Sequence, residues 1–421
     1  MNIFKRIYCR TFQHVLKFAI PFLPYRQPEL LKDYDGLIEV LRGNSFKNVL
    51  LVTDKSIKEI GLTGELESKL KGAGFKLFIY DKTVANPTSQ NVEEGLKIFK
   101  DNGCQVLIAF GGGSSMDCAK AIGARVARPN KTLSQMKGIL KVRKSLPLLI
   151  AVPTTAGTGS ETTIASVITD SETRHKYAIN DFPLIPKYAL LEAKLTTGLP
   201  PKLTATTGMD ALTHAVEAYI GKSTTKETRK NSIDAIKLIF DNLLVAYHNG
   251  NDLTARANML KASYLAGLAF TKSYVGYVHA VAHSLGGKYN IPHGEANAIL
   301  LPIVLKKYGK KIYKKLLKLC KAVGLCDKGC SKEVASKIFI EKIEAMNKEM
   351  GIDKRIPAID EGDIKELART AEKEANPLYP VPVLWTAKQL EKIYEEAKNG
   401  WEINTWKDRL DEKISERKKN A

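Results

Sequence analysis

Apolar strand patterns alternate with helical patterns in the first half of this chain, and that alternation restricts the fold more than any other feature. Residues 47–53 (KNVLLVT) form an apolar, branched run that suits a buried parallel strand. Similar runs occur at residues 75–80, 104–110, 148–152 and 188–191. Helical patterns lie between them, as at residues 56–73 and 91–101. The alternation predicts an open parallel sheet with helices on both faces, which binds ligands beyond the carboxyl ends of its strands.

From about Pro200 onward the strand signal disappears. Helical periods cover residues 210–220, 225–247, 252–270 and 279–285 and continue to about Lys398. A chain of 421 residues is too long for one ordinary core. We therefore predict an α/β domain over residues 1–199 and an all-helical domain over residues 200–421.

Residues 1–28 form a basic amphipathic extension. The helical spacing puts one apolar stripe on it, made of Phe4, Tyr8, Phe12, Val15, Leu16 and Ala19. We expect this stripe to dock on the body of the chain or on a second subunit, and attachment to a membrane surface is the alternative. The formal net charge is +20, but no nucleic-acid-binding motif accompanies it, so we expect no nucleic-acid partner.

The six cysteines are too few and too scattered for a disulfide framework, which favours a cytoplasmic protein. Cys326 and Cys330 stand four residues apart, a spacing that can serve a metal. No second pair of thiols completes such a site. We expect ordinary loop cysteines.

Two small-residue loops follow predicted strands. Gly111–Ser114 lies between a strand and a helix, where backbone N–H groups can bind a diphosphate; the alternative is a plain strand-to-helix turn. Residues 153–163 (PTTAGTGSETT) offer hydroxyls for a ribose, a phosphate or a carboxamide, and turn chemistry is again the alternative. Asp54, after the first strand, suits a ribose hydroxyl and would repel a 2′-phosphate, so NAD is favoured over NADP. Asp54 can equally cap the helix that follows it.

Five potential metal ligands fall in two windows. Asp210 and His214 stand four residues apart in a helical pattern, and His279, His283 and His293 follow about seventy residues later. A carboxylate and several imidazoles are suitable ligands for a divalent transition metal. The spacing alone does not select among the five.

Four motifs in this order resemble the iron-dependent (group III) alcohol dehydrogenases. They are GGGSSMDCAK, PTTAGTGSE, GMDALTHAVEAY and the three histidines spaced as His279, His283 and His293. The resemblance covers roughly residues 49–394 and includes Asn86-Pro87-Thr88. It implies a Rossmann-like dinucleotide-binding domain followed by a helical metal-binding domain.

The resemblance also implies roles for individual residues. The metal ligands would be Asp210, His214, His279 and His293, whereas His283 would lie beside the substrate and the nicotinamide without ligating. Phe270 would form an apolar wall of the substrate site. The cofactor contacts would be Asp54, Asn86, Gly112, Gly113, Ser114, Asp117, Thr154, Thr158, Thr163 and Lys176.

The resulting hypothesis is an alcohol dehydrogenase that transfers hydride between the nicotinamide of NAD and a small primary alcohol or aldehyde. Fe²⁺ would polarise the substrate oxygen, with Zn²⁺ as the alternative metal. His283 would relay the proton, or else only shape the pocket. We expect a homodimer or a higher homo-oligomer. The rival hypotheses are a glycerol-dehydrogenase-like or dehydroquinate-synthase-like enzyme of the same fold and a redox module tethered to a membrane surface.

Overall fold

The computed structural model describes residues 1–327 and 329–400. Six parallel strands form its main sheet, in the order β1-β9-β6-β4-β2-β3. A second sheet has the order β5-β8-β7. The strand bounds are β1 Glu29–Leu31, β2 Asn48–Val52, β3 Lys76–Tyr80, β4 Val106–Gly111, β5 Gly138–Ile139, β6 Leu148–Pro153, β7 Ala165–Thr169, β8 Lys176–Asn180 and β9 Tyr188–Leu190.

The five predicted strands are confirmed as β2, β3, β4, β6 and β9. Alternate residues of β2 enter two different cores, Val49 on one face of the sheet and Leu50 on the other. Burial on both faces explains why these strands are continuously apolar. The sequence prediction missed β1 and β5, which are short, and the antiparallel pair β7 and β8, whose burial alternates along the strand.

Helices cover both faces of the main sheet. Those in the first half are α1 Ile3–Ala19, α2 Tyr34–Gly43, α3 Lys55–Glu59, α4 Gly64–Gly72, α5 Ser89–Asp101, α6 Gly113–Ala127 and α7 Leu133–Met136. The helix predicted over residues 56–73 is in fact two helices, α3 and α4. Gly61 separates them with a φ of +73°, a left-handed conformation that ends α3.

After β9, the described residues contain helices and no further strand. The helices are α8 Pro201–Ile220, α9 Lys226–His248, α10 Leu253–Ser273, α11 Tyr277–Tyr289, α12 His293–Tyr308, α13 Tyr313–Ala322, α14 Lys332–Glu349, α15 Ile364–Ala375 and α16 Ala387–Asn399. They share one large hydrophobic core. The predicted fold class, a parallel-sheet unit followed by a helical unit, is confirmed. The boundary between residues 199 and 200 stays a prediction, and the tail at 401–421 lies outside the described residues.

Helix α1 docks on the body of the chain, but not through the predicted stripe. Gln13 is buried and donates to the carbonyl oxygens of Tyr379 at 2.7 Å and Pro377 at 3.1 Å. Cys9 is buried on the same side. Most of the predicted stripe points outward, including Phe4 and Val15. The prediction was wrong about the docking face because backbone carbonyls, which attract polar groups, line the surface that α1 covers. Among the described residues, none of the helices is long and apolar enough to span a membrane.

Candidate active site

The predicted cofactor loops meet at one edge of the main sheet. Asp54 follows β2, Asn86 follows β3, the glycine loop follows β4, and the threonine loop follows β6. These strands are parallel, so their carboxyl ends share an edge. The chain goes from β2 outward to β3 and then back across to β4, which makes the space between β2 and β4 a switch point of the sheet. Ligands of such sheets bind in the crevice at a switch point.

Neighbouring atoms pack closely against the glycine loop and leave little room for Cβ atoms. Gly111 has a φ of +149°, and a Cβ on it would lie 2.5 Å from Ser115 Oγ. A Cβ on Gly113 would lie 3.0 Å from Thr158 Cγ2, so the glycine and threonine loops are in contact there. Gly112 precedes α6 without a side-chain cap. The first N–H groups of α6 therefore remain free to bind an anion.

Polar side chains from three elements border the glycine loop. The backbone N–H of Asn86 donates to Ser114 Oγ at 3.3 Å, and Lys176 Nζ donates to Asn86 Oδ1 at 2.7 Å. Asp54 caps α3 by accepting from the N–H of Ile57 at 3.0 Å, so the capping alternative is confirmed. Three of the predicted contacts thus form one connected group, and Asp54 lies at the adjacent strand end.

The threonine loop is held by a buried lysine whose role the sequence did not reveal. Lys120 in α6 is fully buried, and its Nζ lies within 3.0 Å of the carbonyl oxygens of Ser160, Thr163 and Ala165. It also donates to Thr163 Oγ1 at 2.8 Å. Burial lowers the pKa of Lys120 to about 8. The ammonium group thus binds several carbonyl oxygens of the threonine loop at once.

Asp117 and the three predicted threonines lie within this arrangement. Asp117 accepts from Ser160 Oγ at 3.2 Å and from the N–H of Val167 at 3.1 Å. Burial raises the pKa of Asp117 to about 6. Thr154 and Thr163 are buried, and Thr158 is half-buried against Gly113. In this structure Asp117 and Thr163 therefore stabilise the loop from within.

The loop also joins the sheet to the helical unit. A Cβ on Gly157 would lie 2.7 Å from the carbonyl oxygen of Thr207 in α8, and one on Gly159 would lie 2.8 Å from Cα of Gly267 in α10. Such approaches require glycine on the loop. They bring the threonine loop next to the helix that carries Asp210 and His214.

Four of the five potential metal ligands converge. Asp210 Oδ1 lies 4.0 Å from His214 Nε2, 3.9 Å from His279 Nε2 and 3.4 Å from His293 Nε2. One donor atom from each residue lies within 4.8 Å of all the others. Helix α8 supplies the first two ligands, α11 supplies His279, and α12 begins at His293. His283 is not part of this cluster of donor atoms.

The local environment keeps these imidazoles in the form that binds metals. Burial lowers the pKa of His214, lowers that of His279 well below its ordinary value, and lowers that of His293 to about 4. Neutral imidazole offers a lone pair, whereas imidazolium does not. The cluster therefore presents three neutral nitrogen donors and one carboxylate.

Glu217 orients one of these histidines. Its carboxylate accepts from His279 Nδ1 at 2.7 Å and from the N–H groups of Gly276 and Val278, each at 2.8 Å. The bond to Nδ1 leaves Nε2 facing Asp210. Carboxylate partners of this kind fix the tautomer and the orientation of metal-binding histidines. Burial raises the pKa of Glu217 to about 7, and the N–H donors oppose that rise. Glu217 follows His214 by three residues in the same helix, so the sequence could have indicated that Glu217 lies near the metal ligands.

The side-chain amide of Asn297 lies among the donor atoms of the candidate metal site. Its Nδ2 donates to Asp210 Oδ1 at 2.7 Å and lies 3.1 Å from His293 Nε2 and 3.3 Å from His279 Nε2. Asn297 is fully buried, and its Oδ1 has no hydrogen-bond partner within the described residues. Asn297 stands one helical turn after His293, a relation that the sequence analysis overlooked.

His283 lies beside the cluster, with a carboxylate of its own. Its ring stacks on His293 with centroids 5.1 Å apart, and its side chain is 44% exposed. Nδ1 donates to Glu374 Oε1 at 2.6 Å, and Tyr379 donates to the same oxygen at 2.7 Å. Desolvation disfavours the charged imidazole, but Glu374 raises the pKa of His283 above its ordinary value. No local sequence motif indicated Glu374.

Phe270, the residue predicted to form an apolar wall of the substrate site, stacks on His214 with ring centroids 4.1 Å apart.

The buried position of Lys120 yields a stability prediction. Lys120→Met should remove the charged donor that binds three carbonyl oxygens in and next to the threonine loop and lower the free energy of unfolding by about 3 kcal/mol. The matched control is Lys97→Met, because the side chain of Lys97 is 74% exposed and pairs with Asp101 on the surface. Urea unfolding followed by circular dichroism measures both. Equal midpoints for the two variants would contradict the role assigned to Lys120.

Comparisons with known proteins give the family. Residues 32–193 match the family described as iron-containing alcohol dehydrogenase, and residues 204–398 match the C-terminal part of the Fe-containing alcohol dehydrogenase family. A 1,3-propanediol dehydrogenase of Citrobacter freundii is 38% identical, over 90% of this chain and 98% of that protein.

Solved structures agree. A 1,3-propanediol oxidoreductase has a TM-score of 0.84 and 35% identity, covering 89% of this chain and 98% of its own. A sulfoacetaldehyde reductase from Bifidobacterium kashiwanohense, in complex with NAD⁺, has a TM-score of 0.79 and 27% identity, over 89% of this chain and 98% of that one. The chain therefore belongs to the iron-containing alcohol dehydrogenase family and is an oxidoreductase of that family.

Proposed function

We propose that this enzyme uses NAD and one divalent metal ion, Fe²⁺ or Zn²⁺, to interconvert a small primary alcohol and its aldehyde. The observation that carries the proposal is the convergence of Asp210, His214, His279 and His293 beside the threonine loop. The C. freundii relative, a propanediol dehydrogenase, and the reductase solved with NAD⁺ support the substrate class and the nucleotide.

The donor set fits a metal ion in its chemistry, and Asp210 Oδ1 lies at suitable distances from all three imidazoles. Ligand distances near 2.1 Å limit two ligand atoms on one ion to separations of about 4.2 Å. The three separations from Asp210 Oδ1, 3.4, 3.9 and 4.0 Å, satisfy that limit. Mixed nitrogen and oxygen donors accept Fe²⁺ and hold Zn²⁺ at least as tightly, so metal supply would decide between them.

We assign the cofactor contacts to the sheet edge. The free N–H groups at the start of α6 would bind the diphosphate, with Gly112, Gly113 and Ser114 allowing its approach. Asp54 would bind a ribose hydroxyl through the carboxylate oxygen that does not cap α3, and its charge would repel NADP. Thr154, Thr158, Lys176 and Asn86 border the same crevice and complete the proposed contacts, while Asp117 and Thr163 would act by holding the loop.

The protein's own part in the reaction is to orient the reactants and to move one proton. A cation held by the four ligands would supply Lewis-acid polarisation of the substrate oxygen, and a bound nicotinamide would supply the hydride donor or acceptor. Phe270 supplies an apolar surface next to His214. His283 Nε2 would accept the hydroxyl proton of the alcohol, while Nδ1 is held by Glu374. The half-exposed His283 side chain would then pass a proton to water. Assembly into a homo-oligomer and residence in the cytoplasm stay predictions.

The direct test is anaerobic reconstitution. The metal is removed with a chelator and replaced by Fe²⁺ or Zn²⁺, metal content is checked by mass spectrometry, and oxidation of NADH or NADPH is followed with aldehydes of two to four carbons. We expect one ion per chain and metal-dependent oxidation of NADH in preference to NADPH. Enzyme that holds one ion but oxidises neither nucleotide with any aldehyde would contradict the proposal.

The ligand assignment predicts a contrast between neighbouring histidines. His293→Ala removes a ligand and should weaken metal binding by at least about 100-fold, since even partners of ligands cost about 10–100-fold. His283→Ala should retain one ion per chain and lose turnover. Metal content after gel filtration against a chelator measures both. Equal loss of metal from the two variants would show that His283 is a ligand.

The proton relay predicts that His283 and Glu374 act as one unit. Glu374→Gln should retain the metal and lower kcat for alcohol oxidation by about 100-fold, and His283→Gln should do the same. The double variant should be no slower than either single variant, because the residues serve one step. A double variant whose loss is the product of the two single losses would show that the two residues act independently and would contradict the relay.

A further inference from the structure

Helix α1 exposes a large apolar face. Its inward face, with Cys9, Gln13 and then Ile20, is buried against the body of the chain. The side chains on the opposite side recur at helical spacing, and we refer to them as the outer face of α1. They are Phe4 at 78% exposed, Ile7 at 56%, Tyr8 at 59%, Val15 at 63% and Phe18 at 77%, together with Phe22 at 77% in the short 3₁₀ turn Ile20–Phe22 that follows α1. Several large apolar side chains exposed on one side of a helix mark an interaction site.

The attachment of α1 fixes the direction of this face. Arg10 donates to the carbonyl oxygen of Val381 at 2.8 Å, and Gln13 donates to that of Tyr379 at 2.7 Å. Lys5 pairs with Glu372 at 2.7 Å. These contacts come from one side of the helix and hold it on the body of the chain. Turning the outer face inward would break all of them.

Positive charge borders the outer face. Residues 1–28 contain no Asp or Glu, and Arg6 and Lys17 are exposed. Lys222 follows the end of α8, and Arg229 lies near the start of α9. Both side chains are exposed. The backbone N–H of Lys222 donates to the carbonyl oxygen of Pro380 at 2.6 Å, next to the carbonyl of Val381 that Arg10 binds. Lys222 therefore lies beside α1.

We propose that the outer face of α1 docks on an anionic lipid membrane, with the helix lying in the plane of the interface. Phe18 and Phe22 would enter the acyl boundary, while Lys17 and its basic neighbours would contact anionic headgroups. Apolar area and attraction to anionic lipid together set the strength of such binding. The surface lies outside the residues that match the family, which begin at residue 32. The proposal therefore goes beyond the dehydrogenase activity.

Charge decides against a second copy of the chain as the occupant. Two outer faces packed against each other would bring the basic groups of both copies together, and like charges at an interface oppose association. A membrane with anionic lipid supplies the opposite charge. The apolar residues and the basic border then both have partners.

Vesicle flotation of the full-length, metal-loaded enzyme tests the proposal. Vesicles of phosphatidylcholine alone are compared with vesicles that contain 30% phosphatidylserine, at low and at high salt. We expect binding to the anionic vesicles, with at least about tenfold weaker partitioning for Phe18→Ser/Phe22→Ser. Lys17→Glu should weaken binding to anionic vesicles only. The matched control is Ile60→Ser/Leu253→Ser, which changes two other exposed apolar residues, at 71% and 46%, and should bind like the unmodified enzyme.

Two results would overturn the proposal. The first is equal flotation of the unmodified enzyme and Phe18→Ser/Phe22→Ser, including no flotation of either. The second is a change of oligomeric state in that variant, measured by sedimentation velocity, without a change in vesicle binding; the outer face would then join copies of the chain. Dehydrogenase activity should be the same in all these variants, so failure here is distinguishable from failure of the proposed function.

Discussion

The carboxylate of Glu217 joins the two helices on which the candidate metal site depends. Glu217 belongs to α8, which also carries Asp210 and His214, and it binds the start of α11 through the N–H groups of Gly276 and Val278. Its third bond holds His279 Nδ1. A Cβ on Gly276 would lie 2.6 Å from Glu217 Oε1, so the approach requires glycine. One buried carboxylate thereby sets both the spacing of the helices and the tautomer of a ligand.

A buried cation has the corresponding role at the cofactor edge. Lys120 binds the carbonyl oxygens of Ser160 and Thr163 in the threonine loop, whose regular structure is limited to a short 3₁₀ turn. Gly157 and Gly159 of that loop contact α8 and α10. The loop shape therefore depends on an ion–dipole contact on the sheet side and on glycine packing on the helical side. The two contacts together position the nucleotide edge against the helices with the metal ligands.

The sequence predicted the parts of this arrangement that depend on local periodicity. Buried parallel strands are apolar throughout, so β2, β4 and β6 were visible, and the four-residue spacing of Asp210 and His214 put both on one side of a helix. The choice of His283 as the histidine outside the ligand set came from family resemblance and stays a prediction, while the cluster of donor atoms consists of the other four residues. Glu374 could not be found locally, because it meets His283 from a helix about ninety residues away. Lys120 was visible only as part of a motif, since its partners are backbone carbonyls of a distant loop. The docking face of α1 was misjudged because an apolar stripe ordinarily points inward, whereas here polar groups bind the carbonyls beneath.

Anomalous diffraction at the iron absorption edge, from crystals grown anaerobically with Fe²⁺, tests most directly whether the four converging side chains bind one metal ion. We expect a single strong peak per chain, at about 2.1 Å from one donor atom of each of Asp210, His214, His279 and His293, with the Asn297 amide displaced from the centre of the cluster. A peak coordinated by His283, or the absence of any peak between these four residues in iron-loaded crystals, would contradict the metal site and the function built on it.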